Sequence, residues 1–133
     1  MLNQVFTKAS PYKKRARTYT IIWALLIFIL CFIPGPDLPE SNIPMADKWV
    51  HFVLFAVFTF LWMCAGPSRR LSSLLIALVV GCAFGWLGEE LQGLLSFLGR
   101  NKSIQDIYAD AIGSALGVLI FYILAWRSAK TAR

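Results

Sequence analysis

Apolar residues gather along the chain into four blocks separated by short polar stretches. The blocks run roughly over 19–33, 49–65, 71–98 and 104–126. Within them the apolar positions are nearly continuous, without the periodic stripe of a surface helix. Crossing a bilayer core takes about 20 predominantly apolar residues, with a range of about 17–25. The last three blocks meet that length. The first is shorter, and Tyr19 and Pro34 flank it at interface depth. The pattern predicts an all-α membrane protein with four transmembrane helices.

Composition strengthens this reading. Of 133 residues, 58% are hydrophobic and only 15% charged, far from the balance of a soluble domain. A basic stretch precedes the first block, as in a signal peptide. No small-residue cleavage site follows, because the chain continues CFIPGPDLPE. A lipoprotein reading of Cys31 fails as well, since Leu30 stands where a small residue is required. The first block is therefore expected to remain as a helix.

Charge sets the expected orientation. Lys8, Lys13, Lys14, Arg15 and Arg17 precede the first block, Arg69 and Arg70 lie between the second and third, and Arg127, Lys130 and Arg133 follow the fourth. These are ten of the thirteen basic residues. Lysine and arginine concentrate on the cytoplasmic side of membrane proteins, which predicts both termini in the cytoplasm. All seven acidic residues, Asp37, Glu40, Asp47, Glu89, Glu90, Asp106 and Asp110, then fall on the outer side or in the outer half. The net charge of +6 reads as anchoring beside an anionic leaflet, with no nucleic-acid partner. Residues 1–18 and 127–133 are expected to be basic cytoplasmic tails around a membrane domain over 19–126. The bacterial cytoplasmic membrane is the expected location.

The connection over 33–48 carries four prolines, which fix φ and remove backbone donors, so an extended outer loop is expected. GPSRR over 66–70 reads as a short inner turn, and FLGRNKS over 97–103 as a short outer one. Such short connections make helices three and four antiparallel neighbours. Cys31, Cys64 and Cys82 fall at different depths and match no metal spacing. They are expected to be free thiols packed as small hydrophobes.

Polar residues inside the blocks have helical spacing. Asp47 and His51 are four apart, Glu89 and Gln92 three apart, and Asp106 and Asp110 four apart, so each pair shares a helix face. Two stripes continue into glycine: Gly81, Gly85 and Gly88 lead to Gln92, and Asp106 and Asp110 lead to Gly113 and Gly117. Small residues four apart let membrane helices approach closely. Helices three and four are expected to pack along these glycines, bringing Glu89 and Gln92 to Asp106 and Asp110 with Arg100 nearby. Glu89 stands about 27 Å along its helix from Leu71, near the outer boundary of the core. Glu90 points about 100° away from it and is expected to reach for the interface.

In order along the chain, DKWVHF at 47–52, GEELQ at 88–92 and GRNKSIQDIYADAIGSALG at 99–117 together resemble the VanZ-like family of small bacterial membrane proteins. Asp47, Lys48, His51 and Phe52 match its first element, Glu89 and Gln92 its second, and Arg100, Asp106, Gly113 and Gly117 its third. Asp110 stands where that family more often has asparagine. The resemblance implies a polytopic membrane protein of the cell envelope, with a founding member linked to teicoplanin resistance. It implies no defined reaction.

The polar cluster admits two readings. Carboxylates at helix starts cap free N–H groups and suit the dipole, which describes Asp47 and Asp106, and Ser103 with Asp106 reads as a capping box. Glu89 fits no capping pattern, and ionisable residues inside membrane helices are functional candidates by default. Several close carboxylates cannot all stay ionised without cost, and a carboxylic acid beside a histidine suits general acid–base work. One expectation is an outer-leaflet site that binds and transforms a lipid headgroup or envelope precursor. In it His51 and Glu89 act as acid and base, Asp47 orients His51, and Asp106 and Asp110 complete the catalytic set. Lys48, Gln92 and Arg100 bind the ligand, Lys48 and Arg100 holding a phosphate. The other is a non-catalytic protein whose cluster holds the helices in register while it binds an envelope component or partner. Oxygen and imidazole ligands are present, but one histidine without diagnostic spacing gives no metal assignment, and no cofactor is named. An ion path is disfavoured by the apolar inner half.

Overall fold

A computed structural model describes residues 11–34, 42–66 and 70–131. Among these, four long helices follow one another: α1 (Tyr12–Phe32), α2 (Ala46–Ala65), α3 (Leu71–Leu94) and α4 (Ile104–Thr131), with a 3₁₀ turn over Ser96–Leu98. All four are long and apolar enough to cross a membrane. Large apolar side chains such as Ile21, Val79, Leu119 and Ile123 stay exposed on their outer faces, as lipid-facing positions do. The architecture is an all-helical, multi-pass membrane bundle.

Helix boundaries differ from the hydropathy boundaries, and for one reason. α1 begins about two turns before the apolar block, so Lys13, Lys14, Arg15 and Arg17 are helical where a tail was expected. α4 likewise continues through Arg127 and Lys130 to Thr131. Straight-chain basic residues are good helix formers, so hydropathy marks where lipid ends, while the helix runs on. α4 is about 42 Å long at 1.5 Å per residue, longer than a core of about 30 Å. At its far end the Lys130 ammonium lies 3.9 Å from the centre of the Trp126 ring.

α2 starts at Ala46, after Met45 in the left-handed region (φ 57°), so Asp47 and Lys48 occupy its first turn. α3 stops at Leu94, short of the expected 98, because the chain tightens into the 3₁₀ turn. Gly99 (φ 70°) then takes a backbone conformation costly for other residues and turns the chain into α4. The expected tail over 1–10, most of the proline-rich loop (35–41, with Asp37 and Glu40) and the centre of the GPSRR turn (67–69) lie outside the described residues.

The glycine seam works differently from the expectation. α3 and α4 do touch, but the most extensive interface joins α2 to α4, two parallel helices. Residue pairs climb along them together: His51 with Asp110, Phe52 with Gly113, Ala56 with Gly117, and Phe60 with Phe121. A methyl at Gly113 would run into the Phe52 carbonyl, and one at Gly117 into the Ala56 carbonyl. The glycines of α4 thus receive the backbone of α2. Those of α3 receive side chains of α4 and α2: Gly81 faces Ser114 of α4 and Thr59 of α2, and Gly85 faces Asp110, whose Cβ would lie 2.7 Å from an added methyl. Glycine meets side chain or carbonyl here, and no glycine-to-glycine seam forms between α3 and α4.

Two apolar clusters complete the core. Ala16, Met63, Cys64, Ala77, Val118, Phe121 and Ala125 pack toward the end that carries both described termini. Ile27, Phe55 and Phe58 pack nearer the other end, where the Trp23 indole N–H donates to the Leu54 carbonyl at 2.9 Å and ties α1 to α2. The α1 and α3 helices touch only sparsely.

Candidate functional site

The start of α2, the end of α3 and the start of α4 meet at one end of the bundle. Chain direction dictates this, since α1 and α3 finish where α2 and α4 begin. Every polar residue singled out from the sequence therefore lies at the same level.

The structure buries four polar members of this group among apolar helices: Glu89 and Asp110 are each 1% exposed, Gln92 3% and Asp106 5%. Such groups cost free energy unless partnered, and three of the four are. His51 Nδ1 and Asp110 Oδ1 are 2.9 Å apart. The Ser103 backbone N–H donates to Glu89 Oε2 at 2.8 Å. Lys48 Nζ lies 3.0 Å from Asp106 Oδ1, an ion pair not aligned as a hydrogen bond. The other Glu89 oxygen, Oε1, faces His51 Nδ1 at 4.0 Å.

Three expected roles are corrected by these contacts. Asp47 does not orient His51: its side chain is 59% exposed and pairs with Lys48, and Asp110 takes the imidazole instead. Sequence spacing put Asp47 and His51 on one face, but the deeper Asp110 reaches the ring from a neighbouring helix. Glu89 does fill a capping role. In a capping box the acid at the third helical position reaches back to the cap residue's own N–H. Here Ser103 Oγ accepts the Asp106 N–H at 3.3 Å, while the Ser103 N–H goes to Glu89 from another helix. Asp106 is thereby released to meet Lys48. Lys48 is engaged by two carboxylates, so it is not available as a free phosphate ligand. Glu90 behaves as expected at the surface, paired with Lys102.

A cleft of about 910 Å³ opens onto this cluster. Its walls are mainly apolar, with Trp23 and Ile27 from α1, Leu54 and Phe55 from α2, and Phe84 and Leu87 from α3. At its polar end stand Asp47, His51, Glu89, Gln92, Arg100 and Asp110. The buried Gln92 Nε2 has no hydrogen-bond partner; the Cys31 thiol beside it is a weak acceptor at best. Arg100 makes no ion pair among the described residues.

Sequence reasoning missed three contributors. Cys31 reaches the cleft from α1, a helix that offers no other polar signal there. Gly85 makes room for Asp110, and Ser103 supplies the backbone donor for Glu89. The Ser103–Asp106 spacing flagged a cap, yet nothing in it pointed to α3. All three cysteines are free, as expected, but only Cys64 is buried, and Cys82 lies on the exposed face where packing was expected.

One atom each from His51, Glu89 and Asp106 lie within 4.8 Å of one another, a set that suits a divalent ion such as Mn²⁺ or Zn²⁺. The Lys48 ammonium already holds Asp106, and Asp110 already holds His51. The arrangement is thus a network of hydrogen bonds and an ion pair with a histidine at its centre, open at Gln92 Nε2, and able to move a proton between an imidazole and a carboxylate.

No family model matches the chain, and no solved structure matches it. The chain is similar to an uncharacterized protein of Schizosaccharomyces pombe, with 36% identity over 102 residues that cover 72% of this chain and 60% of the relative. The matched segment thus spans less than two thirds of that protein's length.

Proposed function

We propose that this membrane protein binds a lipid headgroup or cell-envelope precursor at the polar end of its bundle and carries out proton-transfer chemistry on it. One observation carries the reading: an apolar cleft about 910 Å³ in volume ends on the part-buried His51–Asp110 pair. Ligand sites are typically concave and apolar, about 300–1,000 Å³, with few convergent polar groups. His51 is the proton carrier, held by Asp110, and Glu89 Oε1 faces it as the second acid–base group. Asp106 and Lys48 form the adjoining ion pair, and Arg100 and Gln92 meet the ligand. A covalent step is not part of the proposal, since among the described residues no serine, threonine or cysteine is hydrogen-bonded to His51, whose partner is Asp110.

The VanZ-like assignment, the bacterial cytoplasmic membrane and the cytoplasmic termini belong to the same proposal. They are supported by the convergence of His51, Glu89, Gln92 and Arg100 on one cleft and by the basic residues at the opposite end. Fusions of a reporter to either terminus test the orientation: a fluorescent protein that needs the cytoplasm should mature, and alkaline phosphatase should stay inactive.

A second reading has its own support. Because Glu89 holds the Ser103 N–H and each buried carboxylate has a partner, the cluster also suits a structural lock of a non-catalytic binding protein. His51→Ala and Glu89→Gln, assayed for membrane accumulation and for an envelope phenotype, separate the two. Normal accumulation with a lost phenotype supports chemistry. Loss of the protein in Glu89→Ala, which leaves the Ser103 N–H without its acceptor, supports the lock when Glu89→Gln accumulates and keeps the phenotype, and silent His51→Ala and Glu89→Gln variants end the acid–base proposal.

A further inference from the structure

The inventory of donors and acceptors at the head of the cleft does not balance. Each buried carboxylate is engaged: Glu89 by the Ser103 N–H, Asp110 by His51 and Asp106 by Lys48. Two donors lining the cleft are left over. Gln92 is 97% buried, yet its Nε2 has only the Cys31 sulfur beside it, a weak acceptor. Arg100, the remaining cation lining the cleft, has no ion pair among the described residues. A buried donor without an acceptor is costly, and a ligand bearing anionic oxygens would supply the acceptor.

The rest of the cleft is apolar and far larger than a headgroup requires. Ile27 and Phe28 of α1 face Phe84, Leu87 and Leu91 of α3 across it, and these two helices touch only sparsely. The gap therefore lies between two membrane-spanning helices, at the depth of lipid chains. Gly88, on the wall of the cleft, has the Cys31 sulfur 3.7 Å from the place of an added methyl, an ordinary contact distance, so a methyl fits there and any larger side chain would intrude where α1 meets α3 beside the polar end.

We infer that the cleft takes one phosphate-bearing amphiphile from the bilayer, which enters sideways between α1 and α3 and delivers its anionic head to Arg100 and Gln92. A guanidinium pairs with phosphate oxygens through two parallel N–H bonds, and the Gln92 amide adds a third donor from the cleft wall. The apolar chain lies along Phe84 and Leu87. This deepens the proposed function and rests on reading this end of the bundle as a ligand site: it names an anionic, chain-bearing ligand and replaces Lys48 by Gln92 as the partner of Arg100.

The test uses the full chain, purified in neutral detergent and exposed to mixed micelles containing phosphatidylglycerol or phosphatidylcholine. Retained lipid is counted by native mass spectrometry. The wild type should keep one phosphatidylglycerol in preference to phosphatidylcholine, and excess inorganic phosphate should not displace it. Arg100→Gln should weaken retention about tenfold or more, as loss of a charged hydrogen bond does, and Arg100→Lys should recover part of it. Gly88→Leu and Leu87→Trp fill the passage and should abolish retention of either lipid, with thermal unfolding confirming that the variants are folded. Equal retention of both lipids with no effect of Arg100→Gln overturns the inference. So does displacement by free phosphate, which would make the site one for a head without a chain. If Arg100→Gln and Gly88→Leu bind lipid normally while His51→Ala and Glu89→Gln lose the phenotype, this inference fails and the acid–base reading stands. If lipid binds as described and those two variants keep the phenotype, the reverse holds.

Discussion

Glu89 of α3 accepts the backbone N–H of Ser103 at 2.8 Å and so closes the first turn of α4 from outside that helix. An acidic residue in an apolar run is thereby part of a helix cap that spans two elements. The contact ties the end of α3 to the start of α4 and leaves the other Glu89 oxygen facing His51.

Stability and chemistry should separate at Glu89. Glutamine keeps a carbonyl oxygen for Ser103, so Glu89→Gln should remain close to wild type in thermal unfolding. Glu89→Ala should lose about 1–3 kcal/mol, because the Ser103 donor is left without a partner. Equal unfolding curves for the two variants would show that the Ser103 contact contributes nothing.

The His51–Asp110 pair predicts strong coupling. His51→Ala takes the partner from a buried carboxylate; the pair is part-buried, and losing a hydrogen bond to a charged group costs about 1.5–3 kcal/mol. Removing both partners, as in His51→Leu with Asp110→Leu, should cost less than the sum of the single changes. A double-mutant cycle in detergent measures this, and additive effects would contradict the 2.9 Å contact.

Lys48 should govern the response to divalent ions. With its ammonium on Asp106, the wild type should unfold at the same temperature with and without a chelator. Lys48→Met uncovers Asp106, whose carboxylate oxygen lies within 4.8 Å of ligand atoms of His51 and Glu89, and Mn²⁺ or Zn²⁺ should then raise its unfolding temperature. A wild type that loses stability on chelation would instead carry an ion in this network.

The glycines should differ in kind. Gly113→Ala and Gly117→Ala drive a methyl into the carbonyls of Phe52 and Ala56, so α2 and α4 must separate at a cost of about 1–3 kcal/mol. Gly88→Ala meets only the Cys31 sulfur at 3.7 Å and should be neutral or stabilising by up to about 1 kcal/mol, the helix-propensity difference. Membrane accumulation and thermal unfolding rank the three.

Hydropathy and spacing were enough for the helices, their number among the described residues and the set of polar positions at one end. Lipid demands long apolar runs, and a chain that crosses repeatedly must bring the end of one helix beside the start of the next. Gln92, Asp106 and Asp110 were legible as a cluster for that reason. Their pairing was not. His51 was assigned Asp47 because neighbours on one helix are visible in the sequence, whereas Asp110 approaches from α4. Glu89 looked free of any cap because its partner, a backbone N–H, belongs to another helix. The apolar cleft was invisible too, since Ile27, Phe55 and Phe84 read as core whether they close a gap or line one. The sequence by itself determined the helices and the depth of each polar group, because both follow from local composition and a fixed rise per residue. Which helices touch, which carboxylate meets which cation, and where α1 and α3 stand apart were decided only in the tertiary structure, by side chains and carbonyls fitting against glycines across helices.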